Sequence, residues 1–69
     1  MLVRFIYKDR ETLLNCRRVE ANVDCLVFYQ TVLDERICVP MNKRDINRYL
    51  DLLYTENKID LRKFNAYKL

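Results

Sequence analysis

The chain contains no glycine, no histidine, no serine and no tryptophan. Each absence removes a class of chemistry. Phosphate-binding loops rich in glycine need backbone that a side chain would block, so neither a dinucleotide-binding turn nor a nucleoside-triphosphate loop can be written with these residues. Without serine or histidine the common nucleophile–base pairs cannot be assembled. The sequence therefore points away from an enzyme and toward a protein that works by binding. Long apolar runs are also missing, and none approaches the roughly 20 residues that cross a bilayer. The opening Met1-Leu2-Val3-Arg4-Phe5-Ile6-Tyr7-Lys8 meets charge too early for a secretory signal. The cytoplasm is the expected location, with no membrane partner.

Cysteine is scarce and odd in number: Cys16, Cys25 and Cys38. An odd set cannot close a disulfide framework without a leftover thiol. No C-x-x-C pair is present and no histidine completes a zinc site, so no metal and no cofactor are expected. Each cysteine lies in an apolar or β-prone stretch, where a free thiol behaves as a small hydrophobe. Arg17 and Arg18 follow Cys16, and nearby cations lower a thiol's pKa. In a regular strand only Arg18 shares the face of Cys16, and no general base accompanies it. A buried structural thiol is the expectation there.

What is present is the composition of a globular chain. Of 69 residues, 51% are apolar and 33% charged. The expectation is a single domain over residues 1–69. A chain this short buries only about 60% of its unfolded surface, so its stability is marginal and oligomerisation is one source of support.

The predicted fold class is α+β: an antiparallel meander of three to four strands, at about 1–8, 12–20, 24–32 and 37–40, then a main helix over about 43–55. The run Asp24 to Val32 is the strongest strand signal, dense in Val, Phe, Tyr and Thr. Lys8-Asp9-Arg10-Glu11 and Leu33-Asp34-Glu35-Arg36 read as breaks, whose acidic residues are expected to be solvated turn charges. Without glycine, Asp and Asn must serve any positive φ. Pro40 ends the last strand. Asn42 is placed as a helix N-cap with Asp45 three residues on, and Met41 and Ile46 are placed as a hydrophobic staple. Ile46, Tyr49, Leu50 and Leu53 form one apolar stripe. Asn57 is the expected left-handed residue after the helix. Beyond it, Asp60 is placed to cap a short final helix from Leu61 to Tyr67, with a frayed tail as the alternative.

Two strands break the expected alternation. Cys25, Val27 and Tyr29 oppose Leu26, Phe28 and Val32, while Leu2 and Ile6 oppose Val3, Phe5 and Tyr7. A sheet covered on one side alternates apolar and polar residues, so both faces here ask for cover. The C-terminal segment, closure into a small barrel, or a second copy of the chain would each provide it.

The functional expectation is a small protein-interaction module, as a regulator or inhibitor, whose partner is another protein or a second copy of itself. An accessory protein of a phage or mobile element fits the size. Tyr29, Tyr54 and Arg48 are the candidate contact residues, because exposed tyrosine beside arginine is typical of protein interfaces. The alternative is a nucleic-acid binder. The whole net charge of +3 falls on residues 42–69, and Lys58, Arg62, Lys63, Tyr67 and Lys68 would supply phosphate attraction and a stacking ring. A helix-turn-helix turning at Thr55-Glu56-Asn57-Lys58 is disfavoured by the absent glycine and the short second helix.

The helix reading generates a measurable expectation. Asn42→Ala should lower stability by about 1 kcal/mol through loss of the cap. Leu50→Ala should cost about 2–5 kcal/mol if Leu50 is core. Urea denaturation midpoints report both.

Overall fold

The structure is a computed structural model that describes residues 1–32, 35–56 and 58–69. Five strands and one helix follow in the order β1 (Leu2–Tyr7), β2 (Arg10–Ala21), β3 (Cys25–Gln30), β4 (Arg36–Pro40), α1 (Lys43–Thr55) and β5 (Lys58–Lys68). The strands close into a barrel in the order β1-β2-β3-β4-β5. Consecutive strands pair antiparallel, and β5 returns to lie parallel to β1. The four expected strands are present, with β1 and β3 slightly shorter and β2 and β4 slightly longer than expected, but they belong to a five-strand barrel rather than to an open meander of three to four; the α+β class holds. The final helix does not. Residues 58–68 are a fifth strand, and Val32 lies beyond the end of β3 at 90% exposure. The expected left-handed Asn57, and Leu33-Asp34 of the second break, lie outside the described residues.

A local feature explains why β5 resembles a helix in sequence. Ile59 and Leu61 alternate with Lys58 and Asp60 and point into the barrel, opposite Val3 and Phe5 of β1. The register then jumps: Phe5 faces Leu61, but the next residue, Ile6, faces Asn65. Residues 62–64 bulge out of the ladder. The Asp60 carboxylate accepts the Arg62 backbone N–H at 3.0 Å and also grips the Arg62 guanidinium. A helix cap would make a similar carboxylate-to-N–H bond, but here it steadies a bulge. Phe64, thrown out of the strand, meets Tyr49 of α1 edge to face at 5.6 Å. Such a pair contributes about 0.5–1.5 kcal/mol beyond its buried area, and it ties the helix to the barrel.

A second bulge bends β2 so that it serves two sheets. Residues 10–15 pair with β1, and residues 16–21 pair with β3. Cys16 faces Gln30 and Arg18 faces Tyr29, which leaves Arg17 as the extra residue. The insertion flips the alternation, so Cys16 is buried and Val19 is also turned inward, opposite Phe28. Arg18 therefore does not share the face of Cys16. Its guanidinium lies outside, 4.0 Å from the centre of the Tyr29 ring.

Barrel closure thus covers one face of the two-faced strands, while Leu2 and Ile6 on the outer face of β1 stay half-buried. Val3, Phe5, Leu26, Phe28, Ile37, Val39 and Leu61 fill the barrel. Outside it, Cys25, Val27 and Cys38 form a satellite cluster with Tyr29 packed against it. Helix α1 packs against β3 and β5, and its Ile46 and Tyr49 join the main core together with Met41, which precedes the cap. Asn42 caps it as expected, its side-chain oxygen accepting the Asp45 N–H at 2.8 Å. Leu50 and Leu53 are only half-buried, which puts Leu50→Ala at the low end of its range and makes Ile46 the stronger anchor. No helix of the described residues is long and apolar enough to cross a membrane.

The β1–β2 turn carries the backbone strain that a glycine-free chain must accept. Lys8 and Asp9 have φ of 50° and 61°, as a type I′ hairpin turn requires at both central positions. Left-handed backbone costs a residue with a side chain roughly 1–2 kcal/mol. Replacing Lys8-Asp9 by Asn-Gly should raise the denaturation midpoint, by roughly 1 kcal/mol of stability. A lowered midpoint would show that the native side chains hold the turn in some other way.

Candidate functional site

The two sheets part at one end of the barrel and leave an open cavity of about 270 Å³. Phe5 and Tyr7 of β1, Thr12 and Leu14 of β2, and Ile37 of β4 form its walls. Strand alternation places them there. Phe5 pairs with Thr12 and Val3 with Leu14, so these side chains share the inner side of the first sheet. Ile37 faces Lys68 across the β4–β5 pair, which brings the end of β5 to the same opening.

The polar groups of the cavity gather on one side. Gln30 occupies the third inward position of β3, after Leu26 and Phe28, and is 9% exposed. Its side-chain amide donates to Glu35 Oε2 at 3.3 Å, and Lys68 Nζ lies 3.2 Å from the same oxygen. Lys68 Nζ also lies 5.7 Å from the Tyr7 ring centre, and Lys8 Nζ lies 5.4 Å from it. A shared carboxylate thus holds an amide and an ammonium beside an aromatic wall. The ion pair is open to water and contributes about 0–1 kcal/mol at most. Its main effect is to set the polarity of the rim. Apolar walls with a few convergent polar groups are the usual make-up of a binding site, and barrel mouths are a common place for one. At 270 Å³ the space falls just short of the roughly 300–1,000 Å³ of small-molecule pockets, which suits one bulky side chain.

The candidate residues from the sequence are scattered. Tyr54 is exposed on α1, and Arg48 lies on the same helix about 120° away around its axis. Arg48 rests 5.7 Å from the Tyr49 ring centre, and Tyr29 is engaged by Arg18 on the outside of β3. None of the three lines the mouth. The basic set is divided by β5 itself. Lys58 shares the outer face of the first sheet with Arg4, and Arg62 is bound to Asp60 and Glu11. Lys63 lies over the rings of Tyr49 and Phe64. Tyr67 is on the outside of the second sheet, and Lys68 alone reaches the mouth. Phe5, Tyr7, Leu14, Gln30 and Ile37 were not expected at a site. The one available signal was Gln30, an amide where the alternation of β3 calls for a third apolar residue.

The cysteines are free and buried. Burial pushes the Cys16 thiol up, against a smaller opposing effect of the N-terminal ammonium. Cys25 is also raised, first by burial and then by its contact with Cys38. The Tyr67 phenol is held above its usual range chiefly by its hydrogen bond with Cys38. Among the described residues no three metal-ligating side chains come together. Comparison with protein-family models, with curated proteins and with solved structures finds no significant match.

Buried thiols should be slow to react. Ellman's reagent at pH 8 is expected to leave all three cysteines unmodified in the native chain and to modify all of them after denaturation. Rapid native modification of Cys16 would contradict its burial.

Proposed function

We propose that the chain is a non-catalytic protein-interaction module whose contact site is the barrel mouth, where it receives a bulky apolar side chain of a partner. The observation that supports this reading is the cavity between Phe5, Leu14 and Ile37 with the Gln30–Glu35–Lys68 cluster on its rim. An apolar pocket with a polar edge is the form that an interface anchor requires. The same rim suits a regulator or inhibitor that masks a partner's anchor residue. Tyr54, at 88% exposure, offers a further contact on the helix.

The nucleic-acid alternative draws less support from the geometry. Arg62 and Lys68 already have carboxylate partners, and the rest of the basic set points in different directions. Two measurements separate the readings. The chain should elute from heparin at low salt, whereas retention that falls steeply with rising salt would favour nucleic acid. Capture of protein from nuclease-treated lysate should be lost on Leu14→Asp and on Lys68→Glu, with circular dichroism confirming that each variant is folded. Equal capture by wild type and both variants would remove the mouth as the contact site.

A further inference from the structure

Among the described residues, one edge of β2 beside the mouth has no strand partner. Residues 10–15 of β2 bond to β1, and pairing of β2 with β3 starts only at Cys16. In an antiparallel strand the N–H and C=O of one residue point to the same side, and that side alternates along the chain. Two bonds fix the phase. Asn15 O accepts from Thr31 N at 3.0 Å, away from β1, and Cys16 N donates to Met1 O at 2.7 Å, toward the β1 end. Leu13 and Glu11, two and four residues earlier, therefore also turn their backbone groups away from β1. Among the described residues no backbone group bonds to them on that side. Proteins usually blunt such an edge with proline, lysine or a covering segment. Here the edge residues are Glu11, held sideways by Arg4 and Arg62 on the outer face, and Leu13, 52% exposed.

Position and charge join this edge to the cavity. Thr12 and Leu14, the residues between and after the two edge positions, send their side chains into the mouth. Arg10 shares their side of β2 at the hairpin end, and Lys8 and Lys68 flank the Tyr7 ring. Against these three cations stand Asp9 in the turn and Glu35, which already binds Lys68. Among the described residues the mouth side of the rim thus has one more cation than anion.

We propose that the β2 edge at Glu11–Leu13 and the adjoining mouth form one docking site for an extended, acidic peptide segment of a partner protein. The segment adds as a strand along β2 and bonds to the outward N–H and C=O groups of Glu11 and Leu13. It seats one bulky apolar side chain between Phe5, Leu14 and Ile37, and its Asp or Glu residues meet Lys8, Arg10 and Lys68. In strand addition the main-chain bonds give affinity and the alternate side chains give specificity. The inference rests on the interaction reading above and names the partner's chemistry.

The test is selection of a displayed library of random nonapeptides on the whole chain, followed by fluorescence anisotropy with the enriched peptides. The expected peptides carry a central Leu, Ile, Phe or Tyr flanked by Asp or Glu. Leu13→Pro should weaken them at least tenfold, because proline removes an edge donor that the β1 ladder does not use. Lys68→Glu should weaken them to a similar extent, and Val23→Ala, at an exposed site outside the mouth, should not. If Leu13→Pro fails to fold, methylating alternate amide nitrogens of the peptide gives the same test on the wild-type chain. Full affinity of both Leu13→Pro and the methylated peptide would overturn strand addition while leaving the mouth as a contact site. Enrichment of basic or wholly polar peptides would overturn the assigned partner chemistry. Self-association abolished by Leu13→Pro would give the edge to a second copy instead. No enrichment, together with lysate capture indifferent to Leu14→Asp, would remove both readings.

Discussion

Pairing of β5 with β1 brings the two ends of the chain side by side and turns an open meander into a barrel. Without it, β1 would have one neighbour, and Val3 and Phe5 would lose the facing Ile59 and Leu61. The mouth draws on the other pairing of β5, with β4, which sets Lys68 at the opening opposite Ile37. A chain of 69 residues lacks the material for a second full layer over its sheet. Closing the sheet on itself hides one face of every strand at no cost in extra residues, and helix α1 needs only to cover part of what is left.

The two bulges reconcile that closure with the sequence. Barrels need strands that turn corners, and an extra residue bends a strand and sharpens its twist. At Arg17 the insertion lets β2 change sheets while Cys16 and Val19 both face inward. At 62–64 a larger insertion releases Phe64 to the helix and lets Ala66 return to the core. Neither bulge uses glycine. Asp60 steadies the second through its bonds to Arg62, and the exposed side chains of that pair bear part of a surface ion network with Glu11 and Arg4.

Much of this was legible in the residues, and what was missed has physical causes. The helix could be read because its signals are local: an N-cap, a staple and a stripe that all lie within a few residues. β3 could be read from composition alone. β5 was hidden because its alternation is interrupted after Leu61, so that Leu61, Phe64 and Tyr67 mimic helical spacing while belonging to two halves of a broken strand. The flip of Arg18 was hidden for the same reason, since a bulge shifts every later side chain to the opposite face. The apolar outer face of β3 follows from its composition, and Cys25 and Val27 there cluster with Cys38 of the neighbouring strand and with Tyr29. The mouth was not legible at all. It is made by residues from all five strands, with only Gln30 departing from its local pattern.

The parallel seam between β1 and β5 also has a consequence in time. Its partners are separated by more than fifty positions, from Leu2 to Lys58 at one end and from Tyr7 to Ala66 at the other. Contacts this distant along the chain form late and slowly, since loop-closure entropy must be overcome before they give any return. On the ribosome, β1 through β4 emerge first and can form hairpins, but their inner face stays wet until β5 has left the exit tunnel. Folding is therefore governed by the arrival of β5. In the interval before it arrives, the exposed edge of β1 and the apolar run of β3 are the segments most open to wrong pairing.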